Sequence, residues 1–279
     1  MGRVAAIQMT SGHRVEENLS VAGEWLRAAK DAGADIACLP ENFAFIGLRD
    51  ADKLVAAEAD GAGPVQSFLA DTARELGLWI LAGSVNLRGD AGERVANASL
   101  LIDSRGKRVA RYDKIHLFDV AIPGRDEQYR ESRHVAPGRR IVLADTPAGR
   151  LGLSVCYDMR FPELYRELVA QGAEWLAMPA AFTVPTGRAH WETLLRARAI
   201  ENLCYVVAPA QVGTHSNGRE TYGDSLIVDY WGQVLARLDK GGGMITADFD
   251  LAKQAETRAR FPALQNRRLE PARLDAETA

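Results

Sequence analysis

The sequence predicts an α/β protein built as a four-layer α-β-β-α sandwich, with two pseudo-symmetric halves that each supply a sheet. Three observations lead there. Short apolar runs alternate with amphipathic helical patterns through the first two thirds of the chain, as buried strands joined by helices do. The segment Gly33-Ala34-Asp35-Ile36-Ala37-Cys38-Leu39-Pro40-Glu41-Asn42-Phe43 is echoed by Gly172-Ala173-Glu174-Trp175-Leu176-Ala177-Met178-Pro179-Ala180-Ala181-Phe182. Each copy follows a helical pattern and ends its apolar run at a proline, which has no N–H to give to a strand ladder. Chance is the competing reading of the echo, because Gly-Ala-acid before a buried strand is a common combination.

Residues 4–9 and 35–39 read as buried strands, with an amphipathic helix over about 15–32 between them. A second helix, about 64–76, opens on Pro64 and closes near Gly77. Strands are expected at about 78–84, 96–102, 108–112 and 149–155. A helix near 162–171, a strand at 175–178 and a helix near 189–203 follow. From Cys204 to Phe249 the pattern is strands and turns, with Asp229-Tyr230-Trp231-Gly232 as a hairpin turn and Gly241-Gly242-Gly243 as a flexible one. No low-complexity linker or composition shift marks a boundary. Residues 1–268 are therefore read as one domain, and 269–279 as a C-terminal tail. In open α/β sheets sites gather beyond the carboxyl ends of strands, and Glu41, Cys156 and Phe182 each stand just past one.

The 279 residues are 47% hydrophobic and 25% charged, enough apolar material for a sizeable core. A net charge of -3 and a pI near 6.0 give no electrostatic case for nucleic acid or an anionic membrane as partner. The three cysteines, Cys38, Cys156 and Cys204, are far apart and form no CxxC pair, which argues against a disulfide framework and a structural zinc site. The N-terminus runs directly into a strand pattern without a signal peptide, and no apolar stretch reaches the roughly 20 residues of a membrane span. The expected setting is the cytoplasm, with reduced thiols and a small-molecule partner.

Cys156 is the first chemical candidate. In Gly152-Leu153-Ser154-Val155-Cys156-Tyr157-Asp158-Met159-Arg160 an apolar strand breaks into a polar stretch before a helix, and a thiol on such a turn stands at the sheet edge near backbone N–H groups. The blander reading is an inert buried cysteine, which Cys38 and Cys204 fit better because apolar residues surround them. Glu41 leaves a buried strand into a Phe-containing loop, where a carboxylate half removed from water can act as a general base and then acid. A cap or ion-pair role is its alternative, although the echo has Ala180 there, so the architecture alone does not require an acid. Lys114 ends a strand ahead of Ile115, and a semi-buried ammonium can hold an oxyanion, protonate a leaving group or favour a neighbouring thiolate. A snorkelling surface lysine is its ordinary counterpart.

His116 and His190 admit a papain-like reading as base to a cysteine, but His190 reads better as a packing residue at a helix start, and His116 shares its run with Lys114. A Gly-x-Ser-x-Gly elbow, a P-loop and a dinucleotide fingerprint are absent.

Three separated motifs in this order, Leu39-Pro40-Glu41-Asn42, Tyr112-Asp113-Lys114-Ile115-His116-Leu117 and Val155-Cys156-Tyr157-Asp158-Met159-Arg160-Phe161-Pro162-Glu163, resemble the nitrilase, or carbon–nitrogen hydrolase, superfamily over nearly the whole chain. The resemblance implies the sandwich already reached and a homodimer, formed across its helices, or a higher homo-oligomer. It implies a general base at Glu41, an oxyanion stabiliser and proton donor at Lys114, a nucleophile at Cys156 and a second glutamate at Glu131. The Tyr157 backbone N–H would complete the oxyanion site, and no metal or organic cofactor would be needed. The same nucleophile segment, with His190-Trp191-Glu192, Leu195-Arg196-Ala197-Arg198-Ala199-Ile200-Glu201 and Cys204-Tyr205-Val206-Val207-Ala208, looks like the amidase branch that acts on deaminated glutathione. Amidases of α-ketoglutaramate are its close neighbours. N-carbamoyl amidohydrolases, nitrilases and a catalytically silent binding protein are the wider alternatives.

Two positions depart from that branch: Arg188, where it usually has Pro, and Asp224, where it usually has His. Arg160, Phe182, Thr183 and Arg188 are the expected substrate contacts. The arginines Arg125, Arg130, Arg133, Arg139 and Arg140 form a basic loop that can meet a carboxylate or simply face solvent.

Overall fold

The computed structural model describes residues 2–89, 93–123 and 127–268. The first half runs β1 (Gly2–Gln8), α1 (Val15–Asp31), β2 (Ile36–Cys38), α2 (Asp52–Ala56), α3 (Pro64–Leu76), β3 (Trp79–Leu81), β4 (Val85–Arg88), β5 (Val95–Ile102) and β6 (Arg108–Asp113). A small antiparallel pair, β7 (Asp119–Ala121) and β8 (Gln128–Arg130), leads to the second half. That half contains β9 (Leu143–Thr146), β10 (Gly149–Leu153), α4 (Pro162–Ala170), β11 (Trp175–Ala177), α5 (Val184–Asn202) and β12 (Tyr205–Ala208). It continues through β13 (Val212–Thr214), β14 (Glu220–Tyr222), β15 (Ser225–Val228), β16 (Val234–Leu238), β17 (Gly243–Phe249) and α6 (Leu251–Arg260).

One sheet has the order β17-β1-β2-β3-β5-β4, with β6 also on β5; the other has β16-β15-β12-β11-β10-β9. Each has three parallel central strands, β1-β2-β3 or β10-β11-β12, flanked by antiparallel ones. Side chains alternate between faces along a strand, and this alternation makes the layers. Val4, Ala6, Ile36 and Cys38, with Phe249 of β17, join one core with Leu151, Leu153 and Trp175 of the facing sheet. Ala5, Ile7 and Ala37 turn the other way, onto Leu26 of α1 and Leu69 of α3. On the far side α4 and α5 cover the second sheet through Leu164, Leu168, Trp191 and Leu195. The result is the four-layer sandwich.

The sequence echo marks equivalent structure in the two halves. Gly33 and Gly172 end α1 and α4 with φ of 79° and 97°, a conformation natural to glycine. Ala34 N–H then donates to Ala29 O, and Ala173 N–H to Leu168 O. The acid of each copy accepts from the neighbouring strand: Arg3 N–H donates to Asp35 Oδ2 and Arg150 N–H to Glu174 Oε2, each at 2.8 Å. Gly-Ala-acid thus closes a helix and pins the next strand.

Some boundaries differ from expectation. The helix expected near 189 starts at Val184, because Pro185 sits in its first turn, where no N–H is needed. Gly187 does not break it: a Cβ there would lie 2.1 Å from Tyr222 Cγ, so glycine lets α5 pack on β14. His190 accordingly lies further into α5 and is exposed, whereas Trp191 packs inward. The strand expected over 78–84 ends at Leu81, because Gly83 takes φ 56° and lies against the Leu39-Pro40 backbone. The tail at 269–279 lies outside the described residues.

Gly83 positions the segment that leads to Glu41. A Cβ there would stand 2.0 Å from Pro40 O and 2.3 Å from Leu39 O, and these backbone atoms have no rotamer with which to yield. Gly83→Ala is expected to cost about 2–4 kcal/mol. Thermal unfolding should show a Tm lower by roughly 5–10 °C, and an unchanged Tm would contradict the close approach.

Candidate active site

Two sharp turns build the site. After Pro40 the chain places Glu41, then Asn42 with φ 55°. After β10 it places Cys156 with φ 51°, a left-handed conformation that costs a non-glycine residue free energy and aims the thiol out of the strand line. Asp158 holds this second turn. Its Oδ2 accepts from Val155 N–H at 2.8 Å and from the Tyr112 hydroxyl at 2.7 Å, while Oδ1 accepts from His116 N–H at 3.0 Å. One buried carboxylate therefore ties the Cys156 turn to the segment carrying Lys114. His116 Nδ1 also meets Asp158 Oδ1, at 2.8 Å, so the histidine braces the turn and is not a base to the thiol.

Lys114 stands between two carboxylates. Its Nζ donates to Glu41 Oε1 at 3.0 Å and to Glu131 Oε2 at 2.9 Å, with only 2% of the side chain exposed. Burial alone would drive the ammonium down, but Glu131 and Glu41, with a contribution from Cys156, hold it well above the ordinary lysine value. Burial works against the Glu131 carboxylate, and the Lys114 charge and hydrogen bond outweigh it, so Glu131 lies below its usual value. Phe118 N–H donates to Glu131 Oε2 at 2.7 Å, and Ala181 N–H to Glu41 Oε2 at 3.0 Å.

Asn97, on β5, completes the cluster and is a residue sequence reasoning passes over. Its Nδ2 donates to Glu41 Oε1 at 3.1 Å and to Glu131 Oε1 at 3.2 Å, while its buried Oδ1 meets no partner among the described residues. The available signal is an amide within the apolar run Val95-Ala96-Asn97-Ala98, since buried polar groups need partners.

The Cys156 thiol lies against this cluster, in contact with the Glu41 carboxylate and the Ala181 N–H. Burial and the Glu41 charge push it well above the ordinary thiol value, and Lys114 opposes them without prevailing. The expectation that Lys114 favours a resting thiolate is thus corrected: the thiol keeps its proton beside a carboxylate that can take it. Cys38 and Cys204 are buried and line no part of this cavity. Burial pushes Cys204 up to about 12. Tyr157 falls in the first turn of a 3-10 helix, where leading N–H groups lack partners within the helix and can face an oxyanion.

A cavity opens on these groups. Glu41, Lys114, Glu131, Cys156, Tyr157, Arg160, Phe182 and Thr183 all line it, so the structure brings most of the sequence-derived candidates together. The Arg160 guanidinium lies 5.8 Å from the Tyr157 ring centre and 5.5 Å from that of Phe182, and it meets His190 Nδ1 at 3.3 Å. Arg188 is not brought there: it is exposed on α5, outside the lining. Asp224 is also elsewhere, buried with φ 62° and paired with Arg237 at 2.7 Å. Of the loop arginines, Arg130 lines the cavity, Arg133, Arg139 and Arg140 are exposed outside it, and Arg125 lies outside the described residues. Lys53 and Arg219 are further lining cations that the sequence does not single out. Among the described residues, no group of three or more His, Cys, Asp or Glu is placed to hold a metal ion.

A thiol, a carboxylate and an ammonium converging on one cavity beyond strand ends define a cysteine hydrolase. A family model described as carbon-nitrogen hydrolase matches residues 3–259. The chain belongs to that family, whose members hydrolyse carbon–nitrogen bonds other than peptide bonds. The protein named deaminated glutathione amidase from Mus musculus is 43% identical over 269 residues, covering 95% of this chain and 83% of its own. The protein of that name from a Synechocystis strain is 45% identical over 267 residues, covering 94% and 97%. The crystal structure of the C. elegans NitFhit protein superposes with a TM-score of 0.89 at 41% identity, covering 96% of this chain and 66% of that one.

Two outcomes follow from the cluster. Asn97→Ala, which removes a donor from both carboxylates, is expected to lower kcat/KM at least tenfold and to destabilise by about 1–3 kcal/mol. Steady-state kinetics and thermal melts report these separately, and a variant unchanged in both would rule out the bridging role. Because Glu131 lies below its unfolded value of about 4.3, its stabilisation is present above that pH and is lost as pH falls through the lower folded value. The urea midpoints of wild type and Glu131→Gln should therefore converge between about pH 6 and pH 3; a gap independent of pH would contradict this.

Proposed function

We propose that this chain hydrolyses deaminated glutathione to α-ketoglutarate and Cys-Gly through a thioester on Cys156. The observation that carries this reading is the thiol, base and ammonium constellation within a chain 43–45% identical to proteins named for that activity. The cations facing the cavity, Arg160, Arg219, Lys53 and Arg130, suit a substrate that carries carboxylates.

Glu41 takes the thiol proton as sulfur bonds to the amide carbon, and the electron pair of the C=O moves onto oxygen. The Lys114 ammonium and the Tyr157 N–H stabilise that oxyanion. As the oxyanion collapses the C–N bond breaks, and Glu41 returns the proton to the leaving nitrogen. Water replaces the amine, gives a proton to Glu41 and attacks the thioester; the C–S bond breaks and the thiol is reprotonated. Arg160 beside Phe182 and Thr183 offers a carboxylate contact on the acyl side. Hydrolysis of α-ketoglutaramate is the neighbouring activity, since it uses the same acyl group.

We also propose a homodimer in the cytoplasm. The exposed Trp231 and Phe261, with ring centres 5.5 Å apart, and the exposed Ile200 of α5 support a dimer formed across the helical layer. All three cysteines are free, which suits a reducing compartment.

Initial rates across deaminated glutathione, α-ketoglutaramate, an N-carbamoyl amino acid and a simple nitrile test the reading. Deaminated glutathione is expected to lead in kcat/KM by about tenfold or more, and Cys156→Ala to lose at least 10³-fold. Preference for any of the other three, or activity surviving in the alanine variant, would overturn it.

A further inference from the structure

Arg219 lies in the connection between β13 and β14 and points back to the catalytic cavity. Its Nη2 donates to Ala181 O at 2.6 Å, and its guanidinium lies 5.4 Å from the centre of the Tyr129 ring. Its Nε–H is buried and meets no acceptor among the described residues. No carboxylate among the described residues forms an ion pair with this guanidinium, and a substrate carboxylate that meets its remaining N–H groups in the cavity would supply one.

The position of Arg219 shows which end of a substrate it would meet. Arg160 lines the catalytic cavity and neither of two cavities beside it. Arg219 lines that cavity and also the two neighbouring ones, with Asp50 and Tyr129 as the other walls common to all three. A group that extends from Cys156 toward these neighbouring cavities meets Arg219. A dipeptide extended from the scissile nitrogen spans roughly 7 Å before its carboxylate, which suits an anchor at the boundary between the catalytic cavity and its neighbours and not one beside the thiol.

We propose that Arg219 binds the carboxylate of the leaving group, so that the site grips a peptide-like amide at both ends, the acyl side at Arg160 and the leaving side at Arg219. This rests on the amidase reading above and adds to it the residue that distinguishes an amide with an amino-acid or dipeptide leaving group from a primary amide that releases ammonia. The contact with Ala181 O raises a competing role: Arg219 could act only by positioning the Ala181 peptide, whose N–H donates to Glu41. That role affects every substrate equally, whereas an anchor affects only substrates that carry the second carboxylate.

The test compares deaminated glutathione with its C-terminal carboxamide, identical up to the leaving-group carboxylate, in wild type, Arg219→Gln and Arg219→Lys. Wild type is expected to favour the free acid by about tenfold or more in kcat/KM, chiefly through KM. Arg219→Gln should bring that preference close to one, and Arg219→Lys, which keeps the charge without the fork, should retain part of it. Should Arg219→Gln fail to fold, Arg219→Lys decides by the same ratio, and an undiminished preference there rules the anchor out. A wild type that cleaves acid and carboxamide equally, or an Arg219→Gln that slows both while keeping their ratio, overturns the anchor and leaves the amidase reading intact. A wild type that cleaves neither removes the amidase reading, and the anchor with it.

Discussion

The architecture of the site depends on one buried ammonium. Lys114 has almost no access to water, and an unpaired ion in that position would cost several kcal/mol even after relaxation. Two carboxylates compensate it, and their own burial must then be met. Asn97 Nδ2, Phe118 N–H and Ala181 N–H supply the remaining bonds. These groups come from β5, from the stretch after β6 and from the loop after β11, so satisfying one charge brings distant parts of the chain to one point. The contacts that prepare the chemistry are therefore also tertiary contacts.

The two halves provide a symmetric frame that the chemistry uses asymmetrically. In the register of the central strands Val4 pairs with Ile36 as Leu151 pairs with Trp175. Counting on from those pairs, Cys156 occupies the place that Met9 takes in the first half, and Glu41 the place of Ala180 in the second. Met9 and Ala180 are ordinary buried residues. Both halves make a turn beyond the strand ends, but the nucleophile comes from one and the carboxylate from the other. Each faces the other across the gap between the sheets, where water is already scarce.

The parts of this arrangement legible in the sequence are those written in local pattern. Apolar runs, the Gly-Ala-acid closure and the proline stops reveal the central strands, and the abrupt polar stretch after Val155 distinguishes Cys156 from Cys38 and Cys204. Pairings across long separations are not written locally: Lys114 meets Glu41 across 73 positions, and Ala181 meets Glu41 across 140. Nothing near Asp158 announces that it will brace the lysine segment, nor does anything near Arg219 announce that its side chain returns to a cavity. The error at the start of α5 has the same origin. Pro185 and Gly187 look like breakers until the first-turn position of one and the Tyr222 contact of the other are known.

Ala181 shows how binding at the far end of a substrate can reach the reacting atoms. Its N–H donates to Glu41 and touches the Cys156 thiol, while its C=O receives Arg219. Glu41 must face sulfur first, then the leaving nitrogen, then water, and at each stage a proton moves only across hydrogen-bond distance. The Lys114, Asn97 and Ala181 donors leave the carboxylate little freedom to turn away, so its alignment is set before substrate arrives, and pre-set alignment of this kind removes much of a reaction's entropic barrier. An anion on Arg219 would hold the leaving nitrogen toward Glu41 through the same peptide that fixes the carboxylate. Recognition of the departing group and delivery of its proton would then depend on a single backbone unit.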